Sequence, residues 1–218
     1  MKRYAIIVAG GTGSRMGNDT PKQFLLLKGR PILLHSIEKF SSHCNEVIVV
    51  LPESKMEEWV ALCEENNFPL NYRLVAGGMM RAESVKNGLE VIEGDGVVAI
   101  HDAARPLISE KLIEKLFHVA EQEDSAVPVI KLSDSLRKLQ GKESKAVDRS
   151  DYRLVQTPQC FSISLIRKAF LQAGFRNFTD EASLAEAAGY TINLVDGEIS
   201  NFKITLPEDL NYAESLSL

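Results

Sequence analysis

The sequence contains few residues of the kinds that build disulfide frameworks or metal sites. Its 218 residues include three cysteines and four histidines. Cys44, Cys63 and Cys160 are far apart and form no CxxC spacing. No two histidines have the i, i+4 spacing that can place two imidazoles on one metal. We therefore predict neither a disulfide scaffold nor a transition-metal site built by the protein.

Long apolar runs and an excess of positive charge are also absent. No run approaches the roughly 20 apolar residues that a membrane span requires. Residues 1–3 lead directly into a short strand-like run rather than into the apolar core of a signal peptide. The formal net charge of -5 disfavours a general nucleic-acid surface. These features predict a cytoplasmic protein with no membrane or nucleic-acid partner, in which an anionic ligand has to meet a local cluster of cations.

Short apolar runs alternate with amphipathic stretches along most of the chain. Continuous apolar runs are typical of strands buried on both faces, and amphipathic stretches of helical period are typical of surface helices. The predicted strands are 4–9, 46–51, 97–100, 126–130 and 192–195, and the predicted helices are 31–40, 56–65, 82–92 and 110–121. This alternation predicts one α/β domain over 1–218, with a mostly parallel, Rossmann-like open sheet and helices on both faces.

Residues 132–155 interrupt this alternation. They contain short polar strand-like stretches around a charged turn, QGKESK (140–145). An exposed two-stranded arm is marginally stable alone. We therefore expect this β-arm to pack against another element or against a second subunit.

The first strand leads into a glycine-rich loop, AGGTGSRMG (9–17), followed by PKQF (21–24). Glycines after a strand allow several backbone N–H groups to approach a phosphate chain. The loop lacks the third glycine of the dinucleotide fingerprint and the GK[ST] of a Walker loop, which disfavours an NAD-dependent oxidoreductase. Arg15 and Lys22 add two cations, which favour a phosphate-binding loop over a glycine turn with solvated cations nearby.

This loop resembles the nucleotide-binding loop of sugar-phosphate and polyol-phosphate nucleotidyltransferases. Four further segments resemble the 2-C-methyl-D-erythritol 4-phosphate cytidylyltransferase family of the non-mevalonate isoprenoid pathway. They are IHDAARP (100–106), QTPQ (156–159), TDEAS (179–183) and FKITLPEDL (202–210). Ribitol-5-phosphate cytidylyltransferases share the glycine loop and the arm and are the alternative, although HDAAR and TDEAS are closer to the first family.

The resemblance implies a reaction in which a polyol phosphate attacks the α-phosphorus of CTP and pyrophosphate leaves. A phosphate is already an anion at neutral pH, so this chemistry needs no general base. The resemblance implies catalytic roles for Arg15, Lys22 and Lys203. It also implies a Mg²⁺ ion held mainly by the phosphates of CTP, with Asp102 as the candidate protein ligand. A regulatory nucleotide-binding protein could dispense with both lysines, which this sequence retains.

The resemblance also implies two sets of binding residues. The nucleotide-binding residues are Ala9, Gly10, Gly11, Thr12, Gly13, Ser14, Gly78, Ser84 and Asp102. The residues that bind the polyol phosphate are Asp102, Arg105, Ser135, Arg149, Thr157 and Thr179. The arm would embrace a second subunit and help to build the partner's site, which gives a homodimer.

The sequence departs from the family pattern at two positions. Met79 stands where the family often has an acidic residue after the glycine pair, so a contact of this position with the base would use the backbone. Ser135 stands where threonine is frequent, and it keeps the hydroxyl.

Several of these residues have structural alternatives. Asp102 could cap the next helix, and Arg105 could form an ion pair with Asp102. We expect Asp180 and Glu181 to cap a helix rather than to bind substrate. We also expect Pro207 to begin a helix.

Overall fold

The computed structural model describes residues 1–10, 21–69, 71–173 and 178–216. The strands are β1 (Arg3–Val8), β2 (Leu26–Leu27), β3 (Arg30–Pro31), β4 (Glu46–Leu51), β5 (Arg73–Ala76), β6 (Val97–Asp102), β7 (Ser125–Lys131), β8 (Leu136–Gln140), β9 (Glu143–Val147), β10 (Arg153–Val155), β11 (Gln159–Ser162) and β12 (Leu194–Asp196). The helices are α1 (Ile32–Ser41), α2 (Met56–Glu65), α3 (Arg81–Glu90), α4 (Glu110–Glu123), α5 (Ile163–Ala173), α6 (Glu181–Ala187) and α7 (Pro207–Ser215).

Eight strands form the central sheet. Its order is β5-β4-β1-β6-β11-β7, and the first four strands are parallel to one another. β11 is antiparallel to both of its neighbours, β10 pairs with β7 in the antiparallel sense, and β12 pairs with β7 in the parallel sense. The carboxyl ends of β5, β4, β1 and β6 therefore meet at one edge of the sheet, where ligands bind in folds of this kind.

The sheet is buried on both faces, as the continuous apolar runs predicted. In β1, Ala5 and Ile7 belong to one core cluster, whereas Ile6 and Val8 belong to another on the opposite face. The first cluster includes side chains from α1, α2 and α4, and the second includes side chains from α3, α5 and α6. The predicted α/β fold, mostly parallel at its centre and covered on both faces, is confirmed.

The predicted bounds of β4 and α2 agree with the structure, but β5, β11 and α5 were not predicted. β5 has only four residues, none of which is fully buried, so it lacks the apolar signal of a central strand. β11 follows directly after the turn at 156–158 and leads straight into α5. Its short apolar run therefore merges with the pattern of the helix.

The arm predicted over 132–155 is a hairpin of β8 and β9, paired from Leu136 with Val147 to Gln140 with Glu143. Gly141 makes its turn with a φ of 61°, a value that favours glycine. The last residues of the predicted arm, Arg153–Val155, instead form β10 and pair with β7 in the central sheet. Across the four described ranges, no helix has both the length and the apolar composition needed to cross a bilayer.

Candidate functional site

A cavity of about 250 Å³ opens at the carboxyl ends of β1, β4, β5 and β6. Its lining combines the residues that follow these strands with side chains from two later segments. The lining residues are Val8, Ala9, Gly10, Lys22, Gln23, Pro52, Gly77, Gly78, Met79, Met80, Arg81, Ser84, Asp102, Ala103, Ala104 and Lys203. Ala9, Gly10, Gly78, Ser84 and Asp102, all predicted to bind nucleotide, therefore share one cavity with Lys22 and Lys203.

One wall of the cavity is the backbone of the turn between β5 and α3. The N–H of Gly78 donates to the Ser84 hydroxyl at 3.1 Å, and this hydroxyl in turn donates to the carbonyl of Met80 at 3.2 Å. A Cβ added at Gly78 would lie 2.4 Å from the Cβ of Glu83, and one added at Gly77 would lie 2.9 Å from the Ser84 hydroxyl. This turn therefore needs glycine, and without side chains at these two positions its main chain can be approached closely from the cavity.

Lys22 begins a single 3-10 turn, Lys22–Phe24, at the side of the cavity. The neighbouring residues anchor this turn. Gln23 is 2% exposed and donates from its side-chain amide to the carbonyl of Ala9 at 2.8 Å. The ring of Phe24 stacks on Trp59 with 5.2 Å between ring centroids. Because Gln23 and Phe24 are fixed to the core, the backbone of Lys22 is held beside the end of β1.

Asp102, the last residue of β6, carries the carboxylate of the cavity. It accepts from the ammonium of Lys203 at 2.6 Å and from Nε of Arg81 at 3.3 Å. Burial would raise the pKa of Asp102, but the positive charges of Arg81 and Lys203 outweigh burial and hold this pKa well below its usual range. Asp102 is therefore ionised at neutral pH. It does not cap α4, whose N-cap is Ser109, so that alternative is wrong.

Arg81 and Glu181 belong to this site and were missed as a pair. The guanidinium of Arg81 donates to the Glu181 carboxylate at 2.5 Å as well as to Asp102. Glu181 is 2% exposed, and burial raises its pKa more than the charge of Arg81 lowers it. The expectation that Glu181 caps a helix is wrong, because its carboxylate points to Arg81. Arg81 lies just before the predicted helix 82–92 and is 100 residues from Glu181, so no local pattern in the sequence indicated this pair.

Asp180 and Pro207 behave as predicted. The carboxylate of Asp180 accepts from the N–H of Ser183 at 3.0 Å and caps α6. Pro207 is the first residue of α7. The carboxylate of Asp209 accepts from the N–H groups of Thr205 and Leu206 at that helix start. Asp180 therefore fixes the start of α6 next to Glu181, and Asp209 fixes the segment that follows Lys203.

Thr157 lies behind Asp102 rather than in the cavity lining. It is 5% exposed, and its hydroxyl accepts from the N–H of Asp102 at 3.0 Å. The same hydroxyl lies 3.2 Å from Nδ1 of His101, whose Nε2 lies 3.1 Å from the carbonyl of Arg105. A carbonyl only accepts, so Nε2 carries the proton and the hydroxyl donates to Nδ1. This network fixes Asp102, and substrate binding by Thr157 stays a prediction.

His101 cannot serve as a base for the cavity. It is completely buried, and this burial lowers its pKa to about 4. Both of its ring nitrogens are used by the contacts to Thr157 and Arg105. The imidazole is therefore neutral at physiological pH and acts as a structural support for the end of β6.

Arg105 does not form the ion pair with Asp102 that was considered. Its Nη1 donates to the carbonyl of Asn201 at 2.8 Å, and its Nε is buried without a hydrogen-bond partner. The salt bridges of Asp102 are made with Lys203 and Arg81 instead. Burial lowers the pKa of Arg105. Its predicted contact with the polyol phosphate stays a prediction.

The remaining predicted residues fall into two groups. Gly11, Thr12, Gly13, Ser14 and Arg15 lie outside the described residues. Ser135, Arg149 and Thr179 are exposed and are not part of the cavity lining. The guanidinium of Arg149 donates to the carbonyl of Ser133 at the base of the hairpin. A single chain therefore does not bring these three residues to the cavity.

Asp102 is the candidate magnesium ligand among the residues that line the cavity. In the described part of the chain, no group of three or more His, Cys, Asp and Glu side chains is arranged to hold a metal. Asp102 offers one carboxylate, and both of its oxygens are engaged by cations. Mg²⁺ commonly uses one or two carboxylates together with substrate phosphates, and the donor set of this cavity agrees with that mode.

The chain was compared with known protein families and structures. The family model for 2-C-methyl-D-erythritol 4-phosphate cytidylyltransferase matches residues 4–217. The enzyme of that name from Bacteroides thetaiotaomicron is 41% identical over 99% of this chain and 100% of its own length. The one from Porphyromonas gingivalis is 44% identical over 99% of this chain and 97% of its own length.

Solved structures agree with the sequence comparison. The crystal structure of 2-C-methyl-D-erythritol 4-phosphate cytidylyltransferase from Thermus thermophilus has a TM-score of 0.83 and 34% identity, and it covers 99% of this chain and 98% of its own. A structure of 4-diphosphocytidyl-2C-methyl-D-erythritol synthase from Anaerococcus prevotii also has a TM-score of 0.83, at 27% identity. Sequence and structure thus match along nearly the whole length, and the chain belongs to the 2-C-methyl-D-erythritol 4-phosphate cytidylyltransferase family.

Proposed function

We propose that this chain transfers the cytidylyl group of CTP to 2-C-methyl-D-erythritol 4-phosphate. The products are 4-diphosphocytidyl-2-C-methyl-D-erythritol and pyrophosphate. The observation that carries this proposal beyond family membership is the cavity itself, in which Lys22 and Lys203 line a glycine-walled space at the carboxyl edge of the parallel strands. Such a space offers an approachable main chain to a base and positive charge to phosphates.

The chemistry needs positioning and charge neutralisation rather than proton abstraction. An oxygen of the substrate phosphate forms a bond to the α-phosphorus of CTP. The bond from this phosphorus to the oxygen bridging to the β-phosphate breaks, and pyrophosphate leaves with the electron pair. The attacking phosphate is already an anion, which agrees with a site where the neighbouring His101 is buried and neutral. Lys22 and Arg15 are proposed to stabilise the negative charge on the α-phosphate and the leaving group.

Lys203 is proposed to act between the two substrates. In the structure its ammonium is bound to Asp102. A dianionic phosphate entering the cavity competes for this ammonium, and Asp102 keeps a second cation, Arg81, when Lys203 turns towards the phosphate. Asp102 is then available for hydroxyl groups of the ribose or of the polyol.

Magnesium is proposed as the cofactor, held mainly by the triphosphate with Asp102 as the candidate protein ligand. When bound, the ion would neutralise part of the phosphate charge. The protein's own share is to place Lys22 and Lys203 around the same phosphates and to keep the carboxylate of Asp102 ionised.

A homodimer is proposed to complete the polyol-phosphate site. The hairpin of β8 and β9 carries exposed apolar side chains such as Leu139, which is 77% exposed. Ser135 and Arg149 lie at its base and are exposed. An Arg fork can take two oxygens of one phosphate, so a second copy of the chain could receive Arg149 and Ser135 near its own Thr179. We further propose a cytoplasmic location and no nucleic-acid or membrane partner.

The test is a pyrophosphate-release assay with CTP and Mg²⁺ and one polyol phosphate at a time. We expect turnover with 2-C-methyl-D-erythritol 4-phosphate and little with ribitol 5-phosphate. Replacing CTP by UTP in parallel reactions examines base selection, which the backbone wall is proposed to provide. A clear preference for ribitol 5-phosphate, or tight CTP binding without product, would contradict the proposal.

A further inference from the structure

Four side chains form an ion-pair network that runs from the protein interior into the cavity. They are Glu181, Arg81, Asp102 and Lys203. The guanidinium of Arg81 forms salt bridges with the carboxylate of Glu181 at 2.5 Å and with that of Asp102 at 3.3 Å. The carboxylate of Asp102 forms a further salt bridge with the ammonium of Lys203 at 2.6 Å. The exposed fraction of the side chain is 2% at Glu181, 25% at Arg81, 13% at Asp102 and 39% at Lys203. Two carboxyl groups and two basic groups alternate along this ion-pair network.

The buried carboxylate of Glu181, at the interior end of this network, is expected to cost folding free energy because it is removed from water. Glu181 is buried, and its Oε2 has no hydrogen-bond partner in the structure. A purely structural buried carboxylate is expected to have its oxygens satisfied, and a buried ion pair is weak evidence for stabilisation because desolvation opposes it. Glu181 is also not needed to cap α6, since Asp180 does so. Stability alone therefore does not account for Glu181.

The effect of Glu181 on Arg81 is more informative. Arg81 lines the cavity, and a guanidinium binds phosphate strongly through two parallel hydrogen bonds. With Glu181 on Nη1 and Asp102 on Nε, this guanidinium is divided between two carboxylates. Without Glu181, the guanidinium gains freedom to turn to a phosphate in the cavity.

We propose that Glu181 is a positioning residue for cytidylyl transfer, which holds Arg81 against Asp102 and so reserves the phosphates of the cavity for Lys203 and Lys22. The inference rests on the proposed function and adds a residue that touches neither substrate. Loss of Glu181 would let Arg81 bind the triphosphate in the ground state and would withdraw support from Asp102. Turnover then falls, while binding of CTP is kept or strengthened.

The experiment compares steady-state kinetics of Glu181→Gln with those of Glu186→Gln. Glu186 is an exposed residue of the same helix, so the same Glu→Gln change there leaves the ion-pair network untouched. We expect Glu181→Gln to lower kcat, expressed per folded active enzyme, by roughly 10- to 100-fold, as small misplacements of reacting groups do, with an unchanged or lower KM for CTP. Glu181→Asp keeps the charge and should recover part of kcat.

A structural role alone predicts a different result. It lowers the active fraction and the melting temperature, and it does not lower the KM for CTP. A kcat within twofold of that of Glu186→Gln would overturn the proposal, as would a raised KM for CTP with unchanged kcat. Arg81→Lys is the second variant, because one ammonium cannot hold both carboxylates in the same geometry, and it should lower kcat similarly. If both variants lose their cooperative melting transition, the pair is structural and the proposal is wrong.

The wild-type assay separates a failure of the proposed function from a failure of the positioning role. A wild-type chain that releases no pyrophosphate from CTP and 2-C-methyl-D-erythritol 4-phosphate contradicts the proposed function itself. An active wild-type chain together with an unaffected Glu181→Gln variant contradicts the positioning role and leaves the proposed function in place.

Discussion

The cavity and the hairpin arm are built in opposite ways. In the cavity, charged side chains are partly buried and bonded across the fold, for example Arg81 to Glu181, which are 100 residues apart. In the hairpin, β8 and β9 pair as a separate two-stranded sheet, and Arg137 bonds Ser144 on the facing strand. The fold therefore fixes the charged side chains of the cavity before a ligand binds, which charge stabilisation requires. The hairpin has no strand pairing with the central sheet that would fix its orientation.

The largest effect is expected in the cavity, at Lys22. Lys22→Ala should lower kcat by roughly 10²- to 10³-fold, because it removes a positive charge that is proposed to stabilise the transition state, while the fold remains intact. Steady-state kinetics with both substrates varied measures this effect. Lys168→Ala, at an exposed position on α5, serves as the control and should keep wild-type turnover. A change confined to KM would mean that Lys22 contributes equally to ground state and transition state.

His101, which supports the end of β6 behind the cavity, should make the free energy of unfolding depend on pH. His101 takes up a proton near pH 6.5 in an unfolded chain, whereas its pKa is about 4 in the folded protein. The stability gained by keeping it neutral is fully present above pH 6.5 and is lost as the pH falls towards 4. The loss is about 3 kcal/mol in the free energy of unfolding.

Denaturant unfolding of wild type and His101→Gln at several pH values between 4 and 7 measures this term. The variant should lose less stability than the wild type over this range, because its side chain does not titrate. The depressed pKa of Asp102 adds a loss of stability in the same direction only near about pH 4, where this carboxylate begins to take up a proton in the unfolded chain, and the wild type and the variant share this loss. His118→Gln, at an exposed position, should keep the wild-type slope, and an identical slope in His101→Gln would contradict the assignment.

A smaller and more selective effect is expected in the arm. Arg149→Ala should raise the KM for the polyol phosphate by about tenfold, the size of one charged hydrogen bond, and should leave the KM for CTP nearly unchanged. Arg137→Ala, on β8 within the same hairpin, is the matched control. Equal effects of Arg149→Ala on both substrates would place this residue at the nucleotide and refute the arm assignment.

The smallest effect is expected on the stability of the single chain when the hairpin is removed. Replacing 136–147 by a short glycine linker should change its free energy of unfolding by no more than about 1 kcal/mol, because an isolated hairpin is marginal. The same change should abolish the proposed dimer, as measured by sedimentation at equilibrium. A large loss of stability in a variant that is already monomeric would mean that the hairpin supports the fold directly.

The parts that were predictable from sequence share a local pattern. β4 and α2 have the predicted bounds, because the five apolar residues after Glu46 and the amphipathic period of α2 are visible without the fold. Lys22 was indicated by the cations of the glycine-rich loop, Gly78 and Lys203 by the family resemblance, and the fold brings all three into one cavity. The role of each in the reaction stays a prediction.

The parts that were not predictable depend on pairs far apart in sequence. Asp102 and Arg105 are three residues apart and suggested an ion pair, but that spacing brings side chains together only on a helix. Asp102 ends a strand, so its partners come from α3 and from the segment before α7. Glu181 looked like a helix cap because local sequence shows a helix start but not the guanidinium that faces it.

The backbone of Gly77 and Gly78, which forms one wall of the cavity, is a suitable target for an inhibitor. A compound that is recognised through the main chain of Gly77 and Gly78 contacts atoms that no substitution can remove. Any side chain introduced at Gly78 collides with Glu83, and one at Gly77 crowds Ser84. Escape from such a compound by mutation of these two positions would therefore damage the turn that forms the enzyme's own site.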